Sequence, residues 1–501
     1  MRTRLLARAV ATATAAALGG LGLAAVTAAP ASAATPAKPY DFNGDGYVDL
    51  AVGSPHGKVG GRGGAGFVTV TYGRSAGLNT AKRQVIHQNT TGVGGTAESG
   101  DHFGYAVASA DFDSDGFADL AVSAPDEDSG SATNVGALTI FWGMSSGLST
   151  YATTDAFESG LPNGARAGTS LAAGNFNGLE NADLAYTGAA GWGWFAFDPS
   201  ISSQSAKAAR IGGTRAFVHQ RLPLPGGRAD VRAAAAPSVQ AKVRPGYSVT
   251  KAHPDLVLTW YDPEAAAGEQ NWVVLTQPTN EGRSLNSRTS IKTPAVGGAA
   301  VGDFNGDGYG DLAVGRPGDA GHTGGEIGLY KGTAEGFETT GTVLNTATAG
   351  VPGTPATGDR FGADLSAADV DKDGRADLAI GAPGTKVGSA TTAGGLFLLL
   401  GSASGITGSG AQWLSQDTEG VPGGAEKNDK FGYQVALLDL TRDGYSDLVV
   451  GGPGENADEG SLTVLRGRST GVRPVTGAVT YGPGTWKVYG IGATLGLVVG
   501  D

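Results

Sequence analysis

The 501-residue sequence has no cysteine, only six histidines, and charged residues at 16% of its positions. Without cysteine, no disulfide can hold the fold together, and a metal ion is the obvious substitute as a cross-link. No two histidines have the spacing of zinc ligands. Phosphate loops and dinucleotide-binding fingerprints are also missing. The sequence therefore contains no assembled catalytic constellation.

Long apolar runs are also missing, with one exception at the N-terminus. Arg2, Arg4 and Arg8 precede an uncharged stretch over residues 9–29, and Ala31-Ser32-Ala33 follows it. This pattern predicts a secretory signal peptide over residues 1–33 and a short linker over 34–39. A membrane anchor is the alternative, but the run is rich in Ala and Gly and lacks a stop-transfer flank. No later segment is apolar for long enough to span a bilayer, so we expect a secreted protein.

The charge balance argues against two classes of partner. The formal charge of −12 becomes −15 when the three arginines of the leader are removed, and five calcium ions would return it to about −5. Most of the acidity is therefore expected to be metal-ligand charge. Nucleic acid and anionic membranes are unsuitable partners for such a surface.

One acidic segment occurs five times, beginning at Asp41, Asp111, Asp303, Asp369 and Asp439. Each copy has oxygen-bearing side chains at positions 1, 3, 5 and 9 and glycine at position 6, the pattern with which a loop wraps a hard divalent cation. We predict about five calcium sites, completed by the position-7 carbonyl. The predicted ligands are Asp41, Asn43, Asp45, Tyr47, Asp49, Asp111, Asp113, Asp115, Phe117, Asp119, Asp303, Asn305, Asp307, Tyr309, Asp311, Asp369, Asp371, Asp373, Arg375, Asp377, Asp439, Thr441, Asp443, Tyr445 and Asp447.

The residues after each loop exclude a helix-loop-helix calcium site. Position 12 of such a site is a closing Glu, whereas here it is Val or Ile. The following Leu-Ala-Val-Gly segments favour strands. We expect the loop at Asp439 to bind calcium most weakly, because Thr441 replaces a carboxylate or amide at position 3.

An Asp-Leu pair at the end of each loop reveals a longer repeat. It recurs at intervals of 56 to 72 residues, and the seven copies begin at Asp49, Asp119, Asp183, Asp255, Asp311, Asp377 and Asp447. Units of about 66 residues, with glycine-rich turns between β-prone runs, suit four-stranded sheets arranged radially. We predict an all-β fold, a seven-bladed β-propeller over residues 40–501.

Two of the repeats, over about residues 157–295, are degenerate. The third keeps the loop spacing but has Leu179 at position 5, and nothing upstream of Asp255 in the fourth resembles a ligand set. We expect blades without tight calcium sites there, with a weak site using Glu180 as the alternative for the third. Trp192, Trp194, Trp260 and Trp272 lie in these two repeats; they could form core filling, which we favour, or an aromatic ligand platform.

Other elements recur around the calcium loops in a fixed order. Phe-Gly stands eight residues before the first ligand, at Phe103, Phe361 and Phe431, and a Gly-Ala-Pro-like turn follows the loop, as in Gly381-Ala-Pro383. This order resembles the FG-GAP repeats of the integrin α-subunit head, over essentially the whole mature chain. The chain also resembles small secreted bacterial proteins made only of such repeats. The resemblance implies a propeller with calcium in hairpin loops on one face, and adhesion or ligand binding outside the cell.

Three Gly-x-Ser-x-Gly strings, beginning at Gly73, Gly143 and Gly467, could suggest the nucleophile elbow of an esterase. All three occupy the same place in the repeat, and no helix pattern follows them, so we interpret them as turns.

Two function classes remain. We favour a monomeric, non-enzymatic binding module for an extracellular protein or glycan; the alternative is a calcium-dependent, esterase-like hydrolase.

The ends of the chain predict how the ring closes. The first loop lacks a preceding Phe-Gly strand, whereas the chain ends in an apolar segment whose Val499-Gly-Asp501 resembles Val301-Gly-Asp303. We predict that residues 493–500 pair antiparallel with residues 47–52, which would cover two exposed strand edges. Leu495, Leu497 and Val499 would then share one face against the neighbouring blade.

Overall fold

The computed structural model describes residues 37–156, 161–176, 181–189, 191–197, 209–210, 213–214, 218–222, 243–246, 255–261, 271–278, 285–293, 297–319, 321–472, 477–488 and 494–500. The predicted signal peptide and linker lie almost entirely outside these residues. Within the described residues, no helix is long and apolar enough to cross a membrane.

The strands of the first half of the chain form four sheets. Sheet 1 contains β1 (Leu50–Ser54), β2 (Phe67–Tyr72) and β3 (Asn79–Ile86); sheet 2 contains β4 (Val107–Ala110), β5 (Asp119–Ala124), β6 (Ala137–Phe141) and β7 (Thr153–Ala156); sheet 3 contains β8 (Ser170–Gly174), β9 (Asp183–Gly188), β10 (Gly191–Ala196) and, after a small ribbon of β11 (Ala209–Arg210) and β12 (Gly213–Thr214), β13 (Val218–Leu222); sheet 4 contains β14 (Val243–Gly246), β15 (Asp255–Tyr261), β16 (Asn271–Pro278) and β17 (Leu285–Thr293).

The second half continues the pattern with three further sheets. Sheet 5 contains β18 (Ala299–Gly302), β19 (Asp311–Arg316), β20 (Glu326–Tyr330) and, after a ribbon of β21 (Gly332–Thr333) and β22 (Gly336–Phe337), β23 (Thr342–Leu344); sheet 6 contains β24 (Leu365–Ala368), β25 (Asp377–Ala382), β26 (Gly395–Leu399) and β27 (Gln412–Leu414); sheet 7 contains β28 (Gln434–Leu438), β29 (Asp447–Gly452), β30 (Ser461–Leu465) and, after a ribbon of β31 (Gly467–Arg468) and β32 (Gly471–Val472), β33 (Val479–Tyr481). One-turn helical segments lie at α1 (Glu455–Asp458) and α2 (Pro483–Trp486), and the last strand, β34 (Val498–Val499), joins sheet 1.

Among the described residues, these strands make seven four-stranded antiparallel sheets, in which each strand pairs with the next strand of the same sheet along the chain, except that the last strand, β34, pairs with β1. Each sheet packs against the next through a shared apolar core or through its inner strand, and sheet 7 packs against sheet 1. The second strand of most sheets is buried on both faces, because a neighbouring sheet covers each face. In β5, for example, all six residues are buried. The predicted all-β propeller architecture is thus confirmed.

The chain ends meet in sheet 1, as predicted. Val499 lies opposite Val52, Val498 lies opposite Gly53, and the Gly500 amide donates to the Ala51 carbonyl at 3.1 Å. The partner strand and its antiparallel direction are confirmed, but the predicted register is wrong. Ala299 lies opposite Val314 in sheet 5 just as Val499 lies opposite Val52, so Val499 is equivalent to Ala299 and not to Val301.

The same register identifies the missing Phe-Gly element of the first repeat. Leu495 makes a parallel bridge to Gly460, as Phe431 does to Gly394 and Phe361 to Gly325. Leu495 and Val499 are buried against sheet 7 as predicted, but Leu497 is only half buried and lies outside that cluster. Gly496 has a left-handed φ of 81°, which interrupts the strand alternation and turns Leu497 away.

Candidate metal sites

All five predicted loops lie within the described residues and share one hydrogen-bonded frame. In each, the amide of the sixth residue donates to Oδ2 of the first aspartate at 2.8–3.0 Å. The amide of the seventh residue donates to Oδ1 of the fifth aspartate at 2.9–3.1 Å. The backbone therefore fixes the orientation of both carboxylates before any cation binds.

The third residue is held in the same way in four loops. The amide of the fifth residue donates to its side-chain oxygen at 2.8–3.3 Å, at Asn43, Asp113, Asn305 and Asp371. In the loops at Asp111 and Asp369 this brings three carboxylates together, with oxygens within 4.8 Å of one another: Asp111, Asp113 and Asp115, and Asp369, Asp371 and Asp373.

Two orphaned oxygens show that the loops fit a hard cation. Asp41 Oδ1 is buried and has no hydrogen-bond partner, and neither does the buried Thr441 Oγ1. Both are at predicted ligand positions, the first of one loop and the third of another. Oxygen ligands gathered on a tight glycine-containing loop match the donor set that Ca²⁺ takes, so the residues present fit this ion.

The ninth-position aspartate has a structural role that the sequence did not reveal. In four of the five loops its Oδ2 accepts the amide of the second residue at 2.8–3.2 Å, as from Phe42 to Asp49. In all five its Oδ1 accepts the amide of a glycine after the third strand, at 2.8–3.0 Å. In the fifth loop the Arg466 guanidinium takes the place of the missing amide, 2.8 Å from Asp447 Oδ2. This residue lies outside both groups of three carboxylates, and its role as a ligand stays a prediction, as does that of the position-7 carbonyls.

Burial makes these ninth-position carboxylates costly to ionise. It raises the pKa of Asp49 to about 8 and that of Asp377 to about 7, against the opposing effect of the backbone amides. Burial likewise raises the pKa of Asp311 and Asp447 to about 6. A divalent cation in the adjacent loop would favour the charged form.

Neighbouring loops are joined to one another on this face of the ring. The carbonyl of the first aspartate accepts the amide of the eighth residue in the next loop, from Ala118 to Asp41 at 3.0 Å and from Ala376 to Asp303 at 2.9 Å. The Lys372 ammonium donates to the Asp443 carbonyl at 3.0 Å. An ion that fixes the conformation of one loop would therefore also restrict the next loop, because the two are in direct contact.

The third repeat retains part of the same hydrogen-bonded frame. Asp183 Oδ2 accepts the Phe176 amide at 2.9 Å, as its counterparts do, and Asn181 donates to the Phe112 carbonyl at 3.1 Å. Leu179, Glu180 and the segment before Asp255 lie outside the described residues. The side chains of the four tryptophans in these repeats also lie outside them, so their role stays open.

The Gly-x-Ser-x-Gly strings lie in turns, as predicted. Their first glycines, Gly73, Gly143 and Gly467, are the ones whose amides hold the ninth-position aspartates. The serines are exposed, and strands or extended segments follow them. Asp49 and Gly73 are 24 residues apart, as are Asp119 and Gly143, but the equivalent glycines lie 21 and 20 residues after Asp311 and Asp447, so no constant spacing marked this contact in the sequence.

A cavity of about 660 Å³ opens beside the loop at Asp303, between sheets 5 and 6. Its floor includes the buried Tyr330, and Asp307, Lys331 and Glu338 stand at its exposed wall. Lys331 and Asp307 form an ion pair at 3.2 Å. The cavity thus combines an aromatic floor with polar groups of both signs.

The sequence matches the FG-GAP repeat family at five places: residues 39–71, 103–141, 295–327, 361–399 and 431–465. The matches cover the five repeats with complete loops and leave out the two degenerate ones. They confirm the resemblance that the motifs indicated.

Known proteins are similar over parts of the chain. Phosphatidylinositol-glycan-specific phospholipase D of Rattus norvegicus is 32% identical over 116 residues, which are 22% of this chain and 14% of that protein. Integrin alpha pat-2 of Caenorhabditis elegans is 31% identical over 216 residues, 39% of this chain and 16% of that protein. The chain thus spans about a seventh of the length of these relatives. Among solved structures, AofleA from Arthrobotrys oligospora has a TM-score of 0.39 and 10% identity, over 78% of this chain and 92% of that one.

Proposed function

We propose that this chain, which matches the FG-GAP repeat family at five places and is similar to integrin α-subunits over part of its length, is a secreted, calcium-loaded β-propeller that binds a protein or glycan outside the cell. The observation that carries the calcium assignment is the frame shared by the five loops. Backbone amides orient the first and fifth carboxylates in every copy, and the orphaned Asp41 Oδ1 and Thr441 Oγ1 need a partner.

The residues that would hold calcium are those at positions 1, 3 and 5, with position 9 and the position-7 carbonyl completing each shell. Bound calcium supplies positive charge that offsets the repulsion among three or four nearby acidic groups. Because the loops contact one another, filled loops would stiffen one whole face of the ring. A rigid surface binds a partner with less loss of conformational entropy.

A binding role is supported by the similarity to integrin α-subunits and by the cavity beside the loop at Asp303. An aromatic floor with polar groups at the rim suits a polar ligand such as a sugar or a short peptide segment. The exposed serines of the Gly-x-Ser-x-Gly turns are better explained as turn residues, since their glycines hold the calcium loops. We therefore prefer binding to esterase-like hydrolysis.

An array experiment tests this proposal. The purified mature protein is applied to glycan and extracellular-protein arrays in millimolar calcium and again in excess chelator. We expect ligands bound in calcium, lost with chelator, and weakened in the double variant Asp115→Asn/Asp373→Asn, which removes one carboxylate from each of two loops. The matched control is Glu419→Gln, an exposed acid that follows the outer strand of sheet 6, away from the loops, and it should bind like the natural protein.

Two results would contradict the proposal. Array binding that is indifferent to chelator and to the loop variant would separate ligand recognition from calcium. Calcium-dependent hydrolysis of ester substrates, with no ligand retained on either array, would favour the hydrolase instead.

A further inference from the structure

The face opposite the calcium loops carries a second recurring group of oxygen ligands. Strand β5 has its calcium loop at one end and residues 125–136 at the other, and its six residues separate the two by roughly 20 Å. At that far end, two interfaces between sheets present the same four residue types at the same spacing, which we call the Gln–Glu clusters. Cluster 1 is Gln88, Glu98, Asp101 and Glu127; cluster 2 is Gln416, Glu426, Asp429 and Glu455.

Each cluster joins two sheets through a buried glutamine. Gln88 follows the outer strand of sheet 1, is 4% exposed, and donates from Nε2 to Glu127 Oε2 of sheet 2 at 2.6 Å. Gln416 follows the outer strand of sheet 6, is also 4% exposed, and donates to Glu455 Oε2 of sheet 7 at 2.5 Å. The contact is therefore repeated between two separate pairs of sheets.

Both glutamines leave an oxygen without a partner. Gln88 Oε1 and Gln416 Oε1 are buried and accept no hydrogen bond. The backbone of a glycine packs closely against the side-chain amide of each glutamine. A Cβ on Gly95 would lie 3.2 Å from Gln88 Nε2, and one on Gly423 would lie 3.4 Å from Gln416 Nε2. A buried amide oxygen that is held in place without a donor is rare in folded proteins.

One aspartate of each cluster is buried and held by the backbone of a neighbouring cluster member. Asp101 and Asp429 are buried, and each accepts the amide of the cluster's first glutamate, at 2.5 Å from Glu98 and 2.6 Å from Glu426. Burial, followed by the charges of Asp101, Glu98 and Asp128, raises the pKa of Glu127. Burial, Asp429 and Glu426 act on Glu455 in the same direction. The charges that raise the pKa of these two glutamates thus come from neighbouring carboxyl groups.

We propose that each Gln–Glu cluster binds one divalent cation, which in a calcium-rich setting is Ca²⁺, on the face opposite the five loops. An amide oxygen and carboxylate oxygens are hard ligands of the kind that calcium takes. The ion would give the orphaned oxygen a partner and offset the repulsion among the acids. It would also cross-link adjacent sheets 1 and 2, and 6 and 7. Affinity should be modest, with Kd on the order of 10⁻⁴–10⁻³ M as in other extracellular modules.

The interface between sheets 5 and 6 is a natural control within the chain. The same spacing places Thr346, Ala356, Asp359 and Thr385 there. Thr385 is the structural equivalent of Glu127, because the Gly394 amide donates to its carbonyl as the Gly136 amide does to that of Glu127. Only the aspartate is retained, so this interface should bind no cation.

Equilibrium dialysis against radioactive calcium tests the proposal. The natural protein should show a tight phase from the loops and a weaker millimolar phase of two further ions. The variant Glu127→Gln/Glu455→Gln keeps an acceptor for each glutamine amide, and it should lose the weaker phase while the tight phase stays. The control Glu335→Gln, at an exposed glutamate away from both clusters, should keep both phases.

A variant that gains a site distinguishes the loss of bound ions at the clusters from a loss caused by misfolding, because a misfolded protein would not gain an ion. Thr346→Gln/Ala356→Glu/Thr385→Glu installs the full cluster between sheets 5 and 6 and should add one ion to the weaker phase. The proposal is overturned if the natural protein and Glu127→Gln/Glu455→Gln bind the same number of ions at millimolar calcium, since the orphaned oxygens would then face only water. A weaker phase that persists in Glu127→Gln/Glu455→Gln while only the tight phase changes would also overturn the assignment of the two weakly bound ions to the clusters.

Discussion

At the scale of single residues, the aspartate at the end of each predicted calcium loop has a role in the fold that is separate from its predicted role as a ligand. Asp119 is fully buried and accepts hydrogen bonds from two backbone amides. The Phe112 amide precedes its strand along the chain, and the Gly143 amide follows the next strand. Asp115 is more exposed, and its Oδ1 accepts one local amide. Substitutions of these two acids should therefore have different effects, on the stability of the fold at Asp119 and on calcium binding at Asp115.

We expect Asp119→Asn to destabilise the protein even in chelator, by about 1–3 kcal/mol, because one buried backbone amide loses its acceptor. Asp115→Asn should weaken calcium binding but leave the stability of the chelated protein nearly unchanged. Urea unfolding of both variants, with and without calcium, provides the measurement. Equal stability of the two in chelator would show that the amide contacts of Asp119 contribute nothing.

The loop conformation could be predicted from sequence because it is local, and the ligand positions stay a prediction. Oxygen side chains at alternate positions and a glycine at the sixth are enough to identify a cation loop. The contact from Gly143 to Asp119 could not be derived in the same way, since its partners are 24 residues apart. The Gln–Glu clusters are harder still, because Gln88 and Glu127 belong to different sheets and meet only in the folded ring.

At the scale of structural elements, the Phe-Gly pair is the joint between neighbouring sheets. Phe431 is fully buried, and the Gly432 amide donates to the Gly451 carbonyl at 3.0 Å. Gly432 has a φ of 80°, and a Cβ there would lie 2.2 Å from the Gly395 carbonyl oxygen of the preceding sheet. Glycine is needed both for the turn and for the close approach of the two backbones.

A matched pair of substitutions separates these two requirements. Gly405 has a similar φ of 83°, but no other atom lies within 4 Å of an added Cβ. Gly405→Ala should cost only the strain of a left-handed alanine, about 1–2 kcal/mol. Gly432→Ala should cost about 2 kcal/mol more, because the sheets must move apart. Thermal melts in calcium measure both, and similar losses would contradict the proposed joint.

The closing strand shows the limit of pattern-based prediction. Its partner and direction followed from the missing first half of the first repeat, but the register was misplaced. A shift of two residues leaves the same side chains on the same face of a strand, so alternation alone cannot detect it. Leu495 in place of phenylalanine also concealed the element that fixes the register.

At the scale of the whole molecule, the described residues close a ring whose five complete loops all lie on one face. We expect chelation to lower the melting temperature by about ten degrees or more, since each ion held at one hundred times its Kd contributes about 2.7 kcal/mol. Calorimetry in calcium, in chelator, and after calcium is restored checks this. An unchanged melt would mean that the loops do not stabilise the fold.

Ring closure can be tested with two leucines of the same short segment. Leu495 is fully buried among residues of sheet 7, and the chain carries on from it to pair with sheet 1. Leu495→Ala should therefore cost about 2–5 kcal/mol and lower the melting temperature of the whole ring in one transition, because losing the joint opens sheets 1 and 7 together. Leu497→Ala is the matched control and should cost about 1 kcal/mol or less, since Leu497 lies outside that core. Deleting residues 494–501 should exceed both effects, because it also exposes the inner edge of sheet 1. If the truncated protein melts like the full-length chain, the ends do not hold the ring closed.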